Sequence, residues 1–212
     1  MDDSAGTGAP GRASYRRSAG SERGAARRRE LLDRVAEDLT ANGLVGFSLR
    51  RAARAAGTTH KVLLYHFDGA EALLTEAVLQ LRRRRIERGL AAAAAAGPVR
   101  RPLADVARAL WSVLAGADAA ESEVLDAAVG LAMFDPARHA RLAREASGEY
   151  LPPLMSLCPP GWDEQRKREV AALVLAALRG FLVDWRTSGD QAGVDAGLTA
   201  LVRALEREEA AG

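Results

Sequence analysis

Apolar residues recur every three to four positions through most of the chain, and the breaks between these runs predict a succession of helices. The first run, Leu31, Leu32, Val35 and Leu39, predicts a helix from about Glu22 to Asn42 that Gly43 ends. Its apolar stripe needs a partner. Two shorter patterns follow in "SLRRAARAAGTTHKVLLYHF". Ser48 is a candidate N-cap for a helix from Leu49 to Ala56, Gly57 supplies a tight turn, and Thr59 caps a helix that ends near Phe67. Helices this short bury little by themselves, so both must pack on the helix before them. Ala52, Ala53 and Ala56 are small enough to allow close approach. The result is a helix-turn-helix completed into a three-helix unit.

Beyond "DG", Leu73, Leu74, Val78 and Leu81 predict a long helix that starts around Ala70 and runs to the stop at Gly97 and Pro98. Further helices are predicted at about 101–116, 121–133 and 136–150, separated by "AGAD", "FDP" and the proline-rich "LPPLMSLCPPG". Residues 164–187 carry apolar side chains round more than one face, so this helix must be covered on two sides. Either a second subunit covers it or it is the central helix of a monomeric bundle. The last helix, about 192–208, has a single apolar stripe. The fold class is therefore all-α. Residues 1–22 form an Arg/Gly/Ser-rich tail without apolar periodicity, expected to be disordered. Residues 23–69 form the helix-turn-helix domain, and 70–212 a second domain that opens with a connecting helix, 70–96.

Composition supports helix over sheet, because aromatics are only 5% of the 212 residues and alanine is abundant. Lys61 and Lys167 are the only lysines, so nearly every basic site carries the fork-shaped guanidinium suited to phosphate or carboxylate. The net charge of +2 is small, but basic residues crowd the stretch from Arg12 to Lys61, which suggests a polyanionic partner. Cys158 is the only cysteine, so no intrachain disulfide can form. There is no apolar run of about 18 residues and no secretory signal in the first residues, so a cytoplasmic protein without a membrane partner is expected.

At about 100° per residue, Leu63 and Phe67 share the core side of the second short helix, while Lys61 and Tyr65 fall opposite. Thr59 and His60 sit at its N-terminal end, where recognition helices reach base edges. Thr58 in the turn, and Ser48 and Arg50 early in the preceding helix, are candidate backbone contacts. Val62 is placed to touch a thymine methyl, Lys61 to meet guanine O6 and N7 or a phosphate, and Tyr65 to bond a phosphate. His66 flanks the core face, as a packed or phosphate-bonded side chain or as a base reader. Arg12, Arg16, Arg17 and Arg23 either reach a minor groove or remain solvated. The run Arg82 to Arg85 fans round its helix, as a charged surface between two domains would, with one or two of the arginines in ion pairs. Asp135 and His139 lie i, i+4, but nothing at suitable spacing completes a metal site. Cys158 has no histidine near it in sequence and reads as a neutral thiol. No catalytic residue, metal or cofactor is expected, and the chain reads as a non-enzyme.

The segment "VAEDLTANGLVGFSLRRAARAAGTTHKVLLYHFDGAEALLTEAV" resembles the N-terminal domain of the tetracycline-repressor (TetR) family of transcription regulators. The resemblance rests on Gly43, Ser48, Ala56 with Gly57, Leu63 to Phe67, and Glu71 with Leu73 and Leu74, and it spans about a quarter of the chain. Leu64 stands where the family usually has tyrosine, and Ala70 where it usually has lysine or arginine. Both family residues commonly touch DNA phosphates; Arg50, Arg51 and the arginines before Glu30 are available instead. The resemblance implies a homodimeric repressor that binds a palindromic double-stranded DNA operator and is released by a small-molecule effector. It further implies that some of Trp111, Met133, Phe134, Tyr150, Met155, Trp162, Phe181 and Trp185 line an effector pocket rather than simply filling the core. The last two long helices would build the dimer interface through Leu173, Leu178, Phe181, Leu182, Leu198, Leu201, Val202 and Leu205. Two alternatives stand beside this reading: a helical interaction protein of the same fold that no longer binds DNA, and a helical-bundle enzyme.

Overall fold

The computed structural model describes residues 22–95, 100–116 and 119–211, apart from the side chains at 119 and 143–146. The expected tail and the predicted helix stop at Gly97 and Pro98 lie outside these residues. Every regular element among the described residues is a helix: α1 (Glu22–Asn42), α2 (Leu49–Ala55), α3 (His60–His66), α4 (Ala70–Ala94), α5 (Leu103–Gly116), α6 (Ala119–Phe134), α7 (Ala140–Gly148), α8 (Leu151–Ser156), α9 (Glu164–Ser188) and α10 (Gln191–Ala210). They fall into two compact units divided between Ala77 and Val78, inside α4.

In the N-terminal unit α1 packs on α2 and α2 on α3. Leu31, Val35 and Leu39 of α1, Ala52 and Ala53 of α2, and Leu63 with Phe67 at α3 are all buried. The division falls after Ala77 rather than at the expected Ala70. Leu73, Leu74 and Ala77 are buried too, so the first two turns of α4 complete this small core. Arg28 pairs with Glu76 from the other side, which ties α1 to the same two turns.

In the C-terminal unit α5, α9 and α10 pack on one another, and α8 lies against α9. Their core gathers Leu103, Trp111, Trp162, Val174, Leu178, Leu182, Leu201 and Leu205. The two longest helices of this core are closed by side-chain caps: Asp163 accepts from the Arg166 N–H at 2.8 Å, and Asp190 from the Gly193 N–H at 2.9 Å.

Two local expectations need correction. The predicted helix 136–150 begins only at Ala140, because the Asp135 carboxylate accepts from the Arg138 N–H at 3.0 Å and holds a turn there. The proline-rich segment read as a connection contains α8, with Pro152 and Pro153 in its first turn. Proline is tolerated there because those N–H groups have no intrahelical acceptor.

Candidate nucleic-acid interface and ligand cavity

The turn between α2 and α3 is built from its own backbone bonds and one brace from α1. The Thr58 N–H donates to Ala53 O at 2.9 Å and the Gly57 N–H to Arg54 O at 3.1 Å, the paired bonds of a Schellman ending. Gly57 has φ +58, and a β-carbon on it would sit 3.2 Å from Arg34 Nη1. That same Nη1 donates to Ala56 O at 3.2 Å, so α1 holds the turn from beneath. The Ser48 hydroxyl accepts from the Arg51 N–H at 3.2 Å, and the Thr59 hydroxyl from the Val62 N–H at 3.4 Å. Both residues are therefore N-caps, and each start of a short helix is fixed by its own side chain.

This geometry presents one side of α3 outward. Thr59, His60, Lys61 and Leu64 are exposed, Thr58, Val62 and Tyr65 are half-buried, and Ser48, Arg50 and Arg54 are exposed on or beside α2. His66 is turned inward. Its ring meets Tyr65 and Phe67 edge-on, its carbonyl accepts from Arg28 Nε at 3.2 Å, and its Nδ1 is buried without a partner. Burial first, then the positive charges of Arg28 and Arg27, hold its imidazole below the usual histidine range.

Several arginines expected to substitute as phosphate contacts are committed elsewhere. Arg51 Nε pairs with Asp38 at 2.7 Å, while its two Nη groups donate to the carbonyls of Val45 at 2.9 Å, Gly43 at 2.7 Å and Asp38 at 3.2 Å. It clamps the α1–α2 connection. Arg28 lies over the Phe67 ring at 4.7 Å while paired with Glu76, and Arg27 pairs with Glu30. Arg50, Arg54 and Arg29 remain exposed cations of this unit.

The C-terminal unit contains a cavity of about 160 Å³. Its walls are apolar, from Leu110, Leu114, Leu125, Leu154, Leu178 and Leu182 among others, and its polar lining consists of Arg82, Arg85, Asp126, Tyr150 and Arg179. Arg82 is 3% exposed and Arg85 7%, so the run Arg82 to Arg85 is not simply a charged surface. Arg85 Nη2 donates to Ser122 Oγ at 2.6 Å, and Arg82 Nη1 stands 3.5 Å from Glu149 Oε2. Arg179 lies over the Tyr150 ring at 5.0 Å and donates to Ser147 Oγ at 3.0 Å. Asp126 accepts from Arg186 Nη1 at 2.8 Å; burial nevertheless raises its pKa, against the lowering by Arg186 and Arg85. Burial also lowers the Arg179 pKa from its usual value.

Sequence reasoning missed these arginines, although a signal was present. Val78, Arg82, Arg85, Gly89 and Ala93 continue one helical stripe, so two of the four arginines had to face inward. Of the large side chains expected at a ligand site, only Tyr150 lines this cavity. Trp111 and Trp162 fill the core, with Phe181 and Trp185 packed against it; the Trp111 ring meets Phe181 and Trp185 edge-on at 6.3 and 6.2 Å. Met155 is half-buried outside the cavity, while Met133 and Phe134 are 79% and 90% exposed.

The expected dimer residues also need sorting. Leu178 and Leu182 line the cavity, Leu201, Val202 and Leu205 are buried in the protomer, and Phe181 and Leu198 pack against its core. Only Leu173 is an exposed member of that set. The reason is simple: periodicity marks burial and does not say against what.

Among the described residues no group of three or more His, Cys, Asp or Glu side chains is placed to hold a metal ion. Asp135 and His139 are joined through the backbone, the His139 N–H donating to Asp135 O at 3.0 Å. The Cys158 thiol is buried, and burial pushes its pKa up, away from the thiolate a nucleophile requires. No helix among the described residues is long and apolar enough to cross a membrane.

No protein-family model matches the sequence, and no curated protein matches it. Solved structures do match. The multidrug binding protein EbrR complexed with imidazole is 23% identical, with 84% of this chain and 89% of that chain covered and a TM-score of 0.64. EbrR complexed with ethidium is 22% identical, with 84% and 96% covered and a TM-score of 0.61. A TetR-family transcriptional regulator from Cytophaga hutchinsonii is 17% identical, with 84% and 92% covered and a TM-score of 0.63. At these identities the likeness is one of fold. The chain thus has the fold of TetR-family transcriptional regulators, an N-terminal helix-turn-helix unit followed by a helical C-terminal unit.

Proposed function

We propose that the protein is a sequence-specific DNA-binding transcription regulator, a repressor that leaves a palindromic operator when a small molecule occupies its C-terminal unit. The observation that carries this reading is α3, a short helix capped at Thr59 whose Thr59, His60, Lys61 and Leu64 side chains are exposed while Leu63 and Phe67 are buried. A helix so mounted can enter a major groove, with Lys61 and His60 at base edges, Leu64 and Val62 against thymine methyls, and Arg50, Arg54 and Tyr65 at phosphates.

A palindromic site requires two copies. On α9, Ala172, Leu173, Ala176 and Gly180 are exposed along one stripe, and on α10 Ala192, Ala196 and Ala200 are exposed. Small side chains on two adjacent helices suit close packing of a four-helix interface between copies. The cavity is the proposed effector site; the imidazole and ethidium complexes of EbrR support a ligand role for a protein of this fold. Helix α4 supplies Arg82, Arg85 and Ile86 to the cavity, and the same continuous helix begins with the turns carrying Leu73 and Leu74. A ligand that favours one position of α4 shifts DNA affinity only by its differential affinity for the two forms.

The direct test is a gel-shift titration at fixed salt on a DNA that the protein binds. Lys61→Ala with Tyr65→Ala should weaken binding at least tenfold while helical content is kept, and unchanged binding would remove the assigned face. The rival reading, an interaction protein without DNA affinity, draws on Leu64 and Ala70, which stand where the resembled family carries phosphate-contacting residues.

A further inference from the structure

Resting on the reading of the cavity as a ligand site, we propose that it takes an organic monoanion: a carboxylate head against Arg82 and Arg85, and an apolar body about the size of one aromatic ring or a medium-length acyl chain.

Two arginines are buried beside acids that they do not fully engage, Arg82 beside Glu149 and Arg85 near Asp126. Arg82 and Arg85 are each more than nine-tenths buried and both line the cavity. Desolvating a guanidinium is unfavourable unless an anion and hydrogen bonds compensate. Among the described residues Arg85 bonds only the neutral Ser122 hydroxyl, through Nη2, and its Nε is buried without a hydrogen-bond partner. Arg82 Nη1 and Glu149 Oε2 lie too far apart, at 3.5 Å, to bond well, and each is a buried atom without a hydrogen-bond partner.

The charge balance favours the same ligand. Arg82, Arg85 and Arg179 line the cavity together with a single acid, Asp126, which is already held by Arg186. Glu149 is the other carboxylate nearby, while Glu121 is taken by Arg88. Among the described residues Arg82 and Arg85 thus share this space with two carboxylates, one of them already paired. A cation placed there would meet desolvated like charges, whereas a carboxylate can accept from planar guanidinium forks.

Size and wall chemistry fix the rest. A dry cavity of about 150 Å³ is known to hold benzene, and this one has about 160 Å³ with leucine walls. Val129 and Val183 line it while exposed to solvent, so its mouth lies between α6 and α9.

The test is isothermal titration calorimetry on the full chain with octanoate, octan-1-ol and ethidium. Octanoate should bind one per chain, at least tenfold more tightly than the alcohol or the cation. Arg82→Met should weaken octanoate at least tenfold and leave the alcohol unchanged. Glu149→Gln, which removes a competing negative charge without burying a new group, should tighten octanoate, and so provides a second reading if the Arg82 variant fails to fold. Equal or tighter binding of octan-1-ol or ethidium, or an octanoate affinity that Glu149→Gln leaves unchanged or weakens, overturns the anion assignment while the ligand site stands. Absence of binding by all three probes overturns the ligand site and the anion assignment together.

Discussion

Arg51 and Arg50 are neighbours of one type, yet their environments separate them completely. Arg51 is spent on Asp38 and three backbone carbonyls, whereas Arg50 is exposed. Arg51→Ala should destabilise the protein by about 2 kcal/mol or more, since bonds to a charged donor contribute about 1.5–3 kcal/mol each when lost without replacement. Chemical denaturation would measure it, and a change within about 0.5 kcal/mol, the range of ordinary surface substitutions, would show that the clamp contributes little. His66 makes a pH prediction. Its folded pKa lies below the ordinary value of 6.5, chiefly through burial, so the unfolded chain takes up the proton more readily. The stability it contributes is present above pH 6.5 and is lost as pH falls through the folded pKa. His66→Phe should flatten stability between about pH 7 and 5; an unaltered slope in thermal unfolding would contradict the assigned environment. At this scale the caps and the Leu63/Phe67 core pair were legible, because a cap and a one-turn spacing are local. The partners of Arg51 and Arg82 were not, since what a long charged side chain meets depends on other elements.

Helices α1 to α3 could be read almost residue by residue because local signals punctuate them: Gly43 ends α1, Ser48 starts α2, Gly57 ends it and Thr59 starts α3. Helix α8 escaped because prolines usually mark connections, and only their place in the first turn makes them compatible with a helix. For α9, apolar residues on more than one face required two covers. Within the protomer Val174, Leu178 and Leu182 face the core, which leaves Leu173, Ala176 and Gly180 outside. That division shifts the proposed dimer contact from the buried leucines to the small residues. Ala176→Arg should therefore convert a dimer to a monomer by sedimentation at micromolar protein, with helical content unchanged. A variant that sediments as the parent does would place the interface elsewhere.

For the whole molecule, the all-α class and the helix-turn-helix followed by a helical unit followed from the patterning, and the solved structures share that fold. A pocket was implied by the resemblance, but apart from Tyr150 its lining was not legible, because its arginines stand on α4 and α9 far apart in sequence and its walls come from helices that periodicity alone cannot pair. The central claim is that this chain reads a two-fold symmetric DNA sequence. Selection of bound duplexes from a random pool by the purified full chain, followed by sequencing, tests it most directly. Two copies of α3 should enrich an inverted repeat whose half-sites lie about one helical turn or a multiple of it apart. A pool that stays random after repeated rounds, or an enriched motif with no two-fold symmetry, would contradict it.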